Sequence, residues 1–130
     1  MLHLLLVEDN PGDVLLIREA IRSSSLDADV LVAYDGEQAL RFLSQFQSNP
    51  DMILLDLNVP KFSGLEILER YGRADTGPPF IVLTSSENPL DKQRAVELGA
   101  RDYLQKPLDL NTYIATVRGA IERHGNQRDQ

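Results

Sequence analysis

Five short apolar runs alternate with five helix-patterned segments along this chain, and that alternation restricts the fold more than any other feature. The runs are Leu4-Leu5-Leu6-Val7, Val30-Leu31-Val32-Ala33, Ile53-Leu54-Leu55 within Met52 to Asp56, Ile81-Val82-Leu83, and a short one near Asp102 to Leu104. A strand without polar alternation must be covered on both faces, which parallel sheets flanked by helices provide. Right-handed βα connections then give a doubly wound, three-layer α/β domain of (βα)5 type with a five-stranded parallel sheet.

The helix boundaries are signposted by cap residues. Asn10-Pro11 with Asp13 opens the first helix, whose apolar positions Val14, Ile17, Ala20 and Ile21 recur at helical spacing, and Ser24-Ser25 ends it. Asp35 with Gln38 caps the second, whose inward stripe is Ala39, Leu40, Leu43 and Phe46, with Asn49-Pro50 as its breaker. Ser63 and Glu66 form a capping-box pattern for the third, which Gly72 stops, and Arg73 to Pro79 is a polar connector. Asn88-Pro89 with Asp91 opens the fourth, and Gly99 closes it. The last helix carries Leu110, Tyr113, Ile114, Val117 and Ile121 on one face, with a frayed tail expected from Gly125. The polar character of the fifth strand suits a sheet edge.

The chain of 130 residues suits one core and leaves no room for a second domain, so any output module is expected on another protein. The 13 basic and 20 acidic residues give a net charge of −7, which disfavours nucleic acid and anionic membranes as partners. Met1 runs almost directly into the first apolar run, leaving no space for a signal peptide, and no stretch has membrane-spanning length. Without cysteine there are no disulfides or thiolate metal sites, and a cytoplasmic location is expected.

Chemistry sits where the strands end. Glu8-Asp9 follows the first run, Asp56 the third, Thr84 the fourth and Lys106 the fifth. In an open α/β sheet ligands bind in the crevice at the carboxyl ends of the strands, and the first and third strands are neighbours at its switch point. Three carboxylates brought together there repel one another until a proton or a cation intervenes. An all-oxygen, water-retaining site suits Mg²⁺, with Mn²⁺ close behind. Lys106 is a flexible point charge able to reach a phosphoryl oxygen or to neutralise Asp56. Taken singly, each residue has an ordinary explanation: a solvated loop acid, a strand threonine, an edge lysine. Their order on successive strand ends is what selects a cation and phosphoryl site.

Glu8-Asp9, Asp56 with Pro60 and Gly64 in DLNVPKFSG, Thr84-Ser85, and Lys106-Pro107 together resemble the receiver domain of two-component response regulators, over the whole chain. The resemblance implies the flavodoxin-like strand order 2-1-3-4-5. It implies Asp56 as phosphoacceptor, with Mg²⁺ held by Asp9, Asp56 and the Asn58 carbonyl and joined by Glu8 through water. Thr84 and Lys106 bind the phosphoryl oxygens, and the peptide before Pro107 is cis. The donor is a phosphohistidine on a sensor histidine kinase or a histidine phosphotransfer protein, and slow self-hydrolysis resets the state without enzymatic turnover. Thr84 and Tyr103 act as switch residues, Tyr103 turning inward, and the surface of helix four, strand five and helix five is the readout. The opening EDNPGD is similar to stand-alone regulators paired with phytochrome-type kinases, some of which imply a phosphorylation-promoted homodimer. Residues 1–125 form the domain and 126–130 a flexible tail.

Asn58 and Ser86 occupy positions that, by the same resemblance, tune the loss of the phosphoryl group. Asp13 reads as a first-turn cap acid adding to the field of the pocket, and His3 and His124 as structural or solvated. Two other classes compete. A Mg²⁺-dependent aspartyl-phosphate phosphohydrolase requires a second acid where Asn58 stands, and an interaction module independent of phosphorylation requires no intact pocket at all. A flavin role lacks a phosphate loop after the first strand.

Overall fold

The computed structural model describes residues 1–45, 50–72 and 77–128. The elements run β1 (Leu2–Val7), α1 (Pro11–Arg22), β2 (Ala28–Ala33), α2 (Gly36–Gln45), β3 (Met52–Leu55), α3 (Gly64–Tyr71), β4 (Phe80–Thr84), α4 (Pro89–Glu97), β5 (Asp102–Gln105) and α5 (Leu110–Arg128). All four strand pairings are parallel, in the order β2-β1-β3-β4-β5, which is the doubly wound sheet expected.

Each face of the sheet has its own apolar layer. Leu2, Leu4 and Leu6 of β1, Met52 and Leu54 of β3, and Ile81 and Leu83 of β4 pack under α1 and α5. The alternate residues Leu5, Val7, Ile53, Leu55, Phe80 and Val82 pack under α2, α3 and α4. This strict alternation within continuously apolar runs is the period of two of an extended chain, with both faces dry. β5 is only half-buried, as befits an edge.

The caps form as read. Asn10 accepts from the Asp13 amide at 3.1 Å, Ser63 from the Glu66 amide at 3.2 Å, and Asn88 from the Leu90 amide at 3.0 Å. Asp35 accepts from the Gln38 amide at 2.8 Å, while the Gln38 side chain reaches back to the Tyr34 amide at 2.9 Å. Phe46, Asn49 and the start of the connector at Arg73 lie outside the described residues.

Two helical expectations need correction. Leu110 lies in the first turn of α5 and is exposed, so the buried stripe starts at Tyr113 and continues through Val117, Ala120 and Ile121. The helix also runs past Gly125 to Arg128. Gly125 is buried, and a Cβ there would lie 2.5 Å from Leu26 Cδ1, so packing requires the residue that helix propensity would treat as a stop.

At the start of α2, Gly36 passes so close to the loop after β3 that an added Cβ would lie 2.0 Å from the Phe62 carbonyl oxygen. Its amide donates to Pro60 O at 2.9 Å, tying the two turns together. Gly36→Ala is expected to lower stability by about 2–3 kcal/mol through forced backbone displacement. A urea midpoint equal to wild type would show that the loop can move aside freely.

Candidate functional site

The parallel register sets the site. Val7 pairs with Leu55, so the residues that follow them, Glu8 and Asp56, leave adjacent strands at the same level. The Asp56 amide donates to Val7 O and the Glu8 amide to Ala33 O, each at 3.0 Å, which continues the ladder to the lip of the crevice. Both side chains are nearly enclosed, Glu8 at 1% and Asp56 at 7% exposure, whereas Asp9 beside them is open to water. Carboxylate oxygens of Glu8, Asp9 and Asp56 lie within 4.8 Å of one another.

Lys106 enters from the far edge of the sheet. Its amide donates to Thr84 O at 2.7 Å, fixing the stem, and the side chain runs back over β4. The Nζ donates to Glu8 Oε1 at 2.7 Å, to Asp13 Oδ2 at 3.1 Å and to Asp56 Oδ2 at 3.2 Å. The other Asp13 oxygen accepts from the Tyr113 hydroxyl at 2.7 Å, and Asp56 Oδ1 accepts from the Asn58 amide at 3.2 Å. Three carboxylates therefore share one ammonium, with the Asp9 carboxylate beside Glu8 and Asp56.

The electrostatics follow from that imbalance. Burial pushes the Glu8 carboxyl up to about 7, the Lys106 hydrogen bond opposes this, and the charge of Asp56 adds to it. Burial alone would lower the Lys106 ammonium, but its hydrogen bond to Glu8 and the charges of Asp56 and Glu8 hold it above the usual lysine range. Burial, then the bond to Asp13, lifts the Tyr113 phenol well above its usual range, so it stays protonated and donates to Asp13. The donor set meets the demands of a small hard dication: only oxygen ligands, surplus negative charge, and one open side for retained water.

Thr84 is fully buried, and its Oγ1 accepts from the Ser86 amide at 3.3 Å. Ser86 Oγ donates to Asp91 Oδ2 at 2.6 Å and accepts from the Asn88 amide at 3.2 Å, which pins the loop after β4 to the first turn of α4. Tyr103 pairs in register with Val82 and packs on the α4 side of the sheet. Its ring is already turned inward. Among the described residues the buried hydroxyl has no hydrogen bond of ordinary length, and the Ser86 hydroxyl on that side donates to Asp91. The Lys106–Pro107 peptide is trans, correcting the cis expectation. An X-Pro bond prefers trans by only about 0.5–1 kcal/mol, so a motif does not dictate either isomer.

Both histidines lie away from the pocket: His3 is exposed, and His124 Nε2 lies 3.1 Å from Asp102 Oδ2 at the start of β5. Asp13 and Tyr113 are the site residues that sequence reading undervalued. Helical side chains lean toward the helix N-terminus, so an acid in the first turn of a helix opening at the strand ends leans over the crevice. A tyrosine in an otherwise aliphatic stripe signals a hydroxyl in need of a partner.

The sequence model of the response regulator receiver domain matches residues 4–118. The chain belongs to that family. This receiver domain is 35% identical to the phosphorylated cyanobacterial phytochrome response regulator RcpA, with a TM-score of 0.85 over 92% of this chain and 91% of that one. It is 33% identical to response regulator Rcp1 in a Mn²⁺-bound form, with a TM-score of 0.86 over 94% and 93% of the two chains. Among curated proteins it is 33% identical to the transcriptional regulatory protein TrcR of Mycobacterium tuberculosis, matching 94% of this chain and 46% of the relative. The chain thus spans about half the length of the curated relatives it matches. Receiver domains are signalling modules of two-component systems, and the acidic pocket of this one sits where the family holds Mg²⁺ or Mn²⁺.

Proposed function

We propose that this receiver domain takes a phosphoryl group onto Asp56 from a phosphohistidine of a sensor histidine kinase or histidine phosphotransfer protein. The observation that carries the reading is the Asp56 carboxylate, nearly buried, with Lys106 Nζ at 3.2 Å and the Glu8 and Asp9 carboxylates beside it. An Asp56 oxygen attacks phosphorus as the P–N bond to imidazole breaks, and the bonding pair leaves with the imidazole nitrogen. The product is an acyl phosphate. Such a transfer requires in-line positioning and neutralisation of the phosphoryl oxygens more than proton transfer. Lys106 turns from the carboxylates to one of those oxygens. The Thr84 hydroxyl, now only an acceptor from Ser86, keeps its proton free to donate to another. Mg²⁺, for which Mn²⁺ could substitute, would be held by Asp9, Asp56 and the Asn58 carbonyl with Glu8 beside them, and would supply the remaining charge neutralisation.

Drawing Thr84 toward the phosphoryl group pulls on the Ser86–Asp91 latch, so the loop after β4 is the moving part of the switch. Because Tyr103 is already inward, the switch acts on its buried hydroxyl rather than swinging its ring. The readout surface is α4, β5 and α5, where Leu90, Val96, Leu108 and Leu110 stand exposed, and this favours a phosphorylation-promoted homodimer. Among the described residues no helix is long and apolar enough to cross a membrane, which accords with a cytoplasmic signalling role. The domain acts on itself and is reset by slow hydrolysis, as a phosphoprotein and not a turnover enzyme.

Intact-protein mass after incubation with acetyl phosphate tests the reading. One added phosphoryl group, dependent on Mg²⁺, is the expected result. Continuous phosphate release without an adduct would replace the reading with a hydrolase. Neither adduct nor release would leave a binding module independent of phosphorylation.

A further inference from the structure

Lys106 Nζ has three N–H donors and three carboxylate partners, and these partners are not equivalent. Glu8 and Asp56 belong to the group of oxygens close enough to share a cation, and Asp56 is also the group that reacts. Asp13 does neither. Among the described residues it is the one carboxylate partner of Lys106 outside that group, and it is itself fixed: one oxygen takes the ammonium at 3.1 Å, the other the Tyr113 hydroxyl at 2.7 Å. The Tyr113 ring is buried in the layer between the sheet and α1 and α5, in the cluster that holds Val14, Ile17 and Val117. Its hydroxyl is therefore set by the core.

A lysine stem has four flexible torsions, and the shortest bond of this ammonium, 2.7 Å, points at Glu8 and away from the acceptor. Something must hold it within reach of Asp56 when a cation draws off the carboxylates of Glu8 and Asp56. We propose that Asp13, anchored by the Tyr113 hydroxyl, is a positioning residue that keeps Lys106 over Asp56 for phosphoryl transfer, a role that rests on Asp56 being the acceptor. The line of fixed contacts runs from the α5 core through Tyr113 and Asp13 to Lys106, on the face of the sheet opposite the Thr84–Ser86–Asp91 latch. Neither Asp13 nor Tyr113 touches the reacting atoms. Both act through the lysine.

Tyr113→Phe keeps the ring and removes only the hydroxyl. At saturating Mg²⁺ and acetyl phosphate it is expected to slow labelling of Asp56 by about tenfold, because a misplacement of an ångström at a reacting centre has effects of that order or larger. Asp13→Asn should slow labelling comparably, and the double variant should be no slower than the worse single one, as expected for residues on one line of contacts. In a Lys106→Ala background the Tyr113→Phe change should make no further difference. An equal slowing there would show a general structural effect and overturn the proposal. So would wild-type labelling rates in both single variants. A wild-type protein that takes no label at all would remove the reading of Asp56 as acceptor and this inference with it, whereas a labelled wild type with unresponsive variants removes this inference alone.

Discussion

Asp56→Asn is expected to take no phosphoryl group from any donor, while the metal-free domain becomes more resistant to urea. The first half follows from chemistry: a neutral amide oxygen is no nucleophile toward phosphorus, and among the described residues no other carboxylate has the same surroundings. Glu8 is turned to Lys106 and the Asn10 amide, Asp13 is held by Tyr113, and Asp9 is exposed. The second half follows from charge. Glu8, Asp13 and Asp56 share one ammonium and Asp9 stands beside them, so the pocket carries surplus negative charge before any cation enters. Replacing Asp56 by its neutral isostere removes one charge beside the buried Glu8, and the amide oxygen can still accept from the Asn58 amide. The loss is a single 3.2 Å bond to Lys106, which keeps Glu8 and Asp13 as partners. At the effective dielectric of such sites, the relief outweighs that loss by about 1 kcal/mol. Intact mass and urea unfolding in chelator read the two halves separately. Labelling at the wild-type rate would end the assignment of Asp56, and a clear fall in the urea midpoint would refute the charge-surplus account.

Most of that surplus is legible in the sequence, because Glu8, Asp9 and Asp56 stand where strands end. Continuous apolar runs demand helices on both faces, a parallel sheet puts its carboxyl ends on one edge, and Glu8, Asp9, Asp56, Thr84 and Lys106 each stand at such an end. The caps were equally legible, since Asn10, Ser63 and Asn88 act on amides two or three residues away. What escaped depended on contacts across the chain. Asp13 does serve the first turn of α1, but its carboxylate also meets a lysine 93 residues on and a tyrosine 100 residues on, and local sequence does not name either partner. Gly125 reads as a helix stop until Leu2 and Leu26 are seen against it. The inward setting of Tyr103 and the trans peptide before Pro107 belong to the same class: local sequence permits both alternatives, and packing selects one.

The metal-free domain is expected to lose stability as pH rises from about 5 to 8, and Mg²⁺ to restore it mainly at the upper end. Glu8 carries the effect. Its carboxyl is pushed up from 4.5 to about 7 in the folded protein, chiefly by burial, so the folded state holds the proton more tightly than the unfolded chain does. Below the unfolded value both states are protonated and the contribution to stability is complete. It declines as pH rises through the folded value, above which the fold bears an ionised, enclosed carboxylate. The size of the decline is about 2–3 kcal/mol. The acids with lowered values, Glu19, Asp35, Asp102, Asp109 and Glu122, act in the opposite sense but below this window, as pH falls through the ordinary carboxylate range. A dication takes the ionised form, so its binding must displace the Glu8 proton at pH 5 but not at pH 8. At a Mg²⁺ concentration of about 100 times Kd the gain is about 2.7 kcal/mol, which is enough to cancel the decline. Urea midpoints at pH 5, 6, 7 and 8, in chelator and in Mg²⁺, test this, with Glu8→Gln to remove the slope and Asp9→Asn to weaken the Mg²⁺ gain without removing it. Metal-free stability that is flat or rising across that range, or a slope that survives Glu8→Gln, would place the excess charge of the pocket elsewhere than on Glu8.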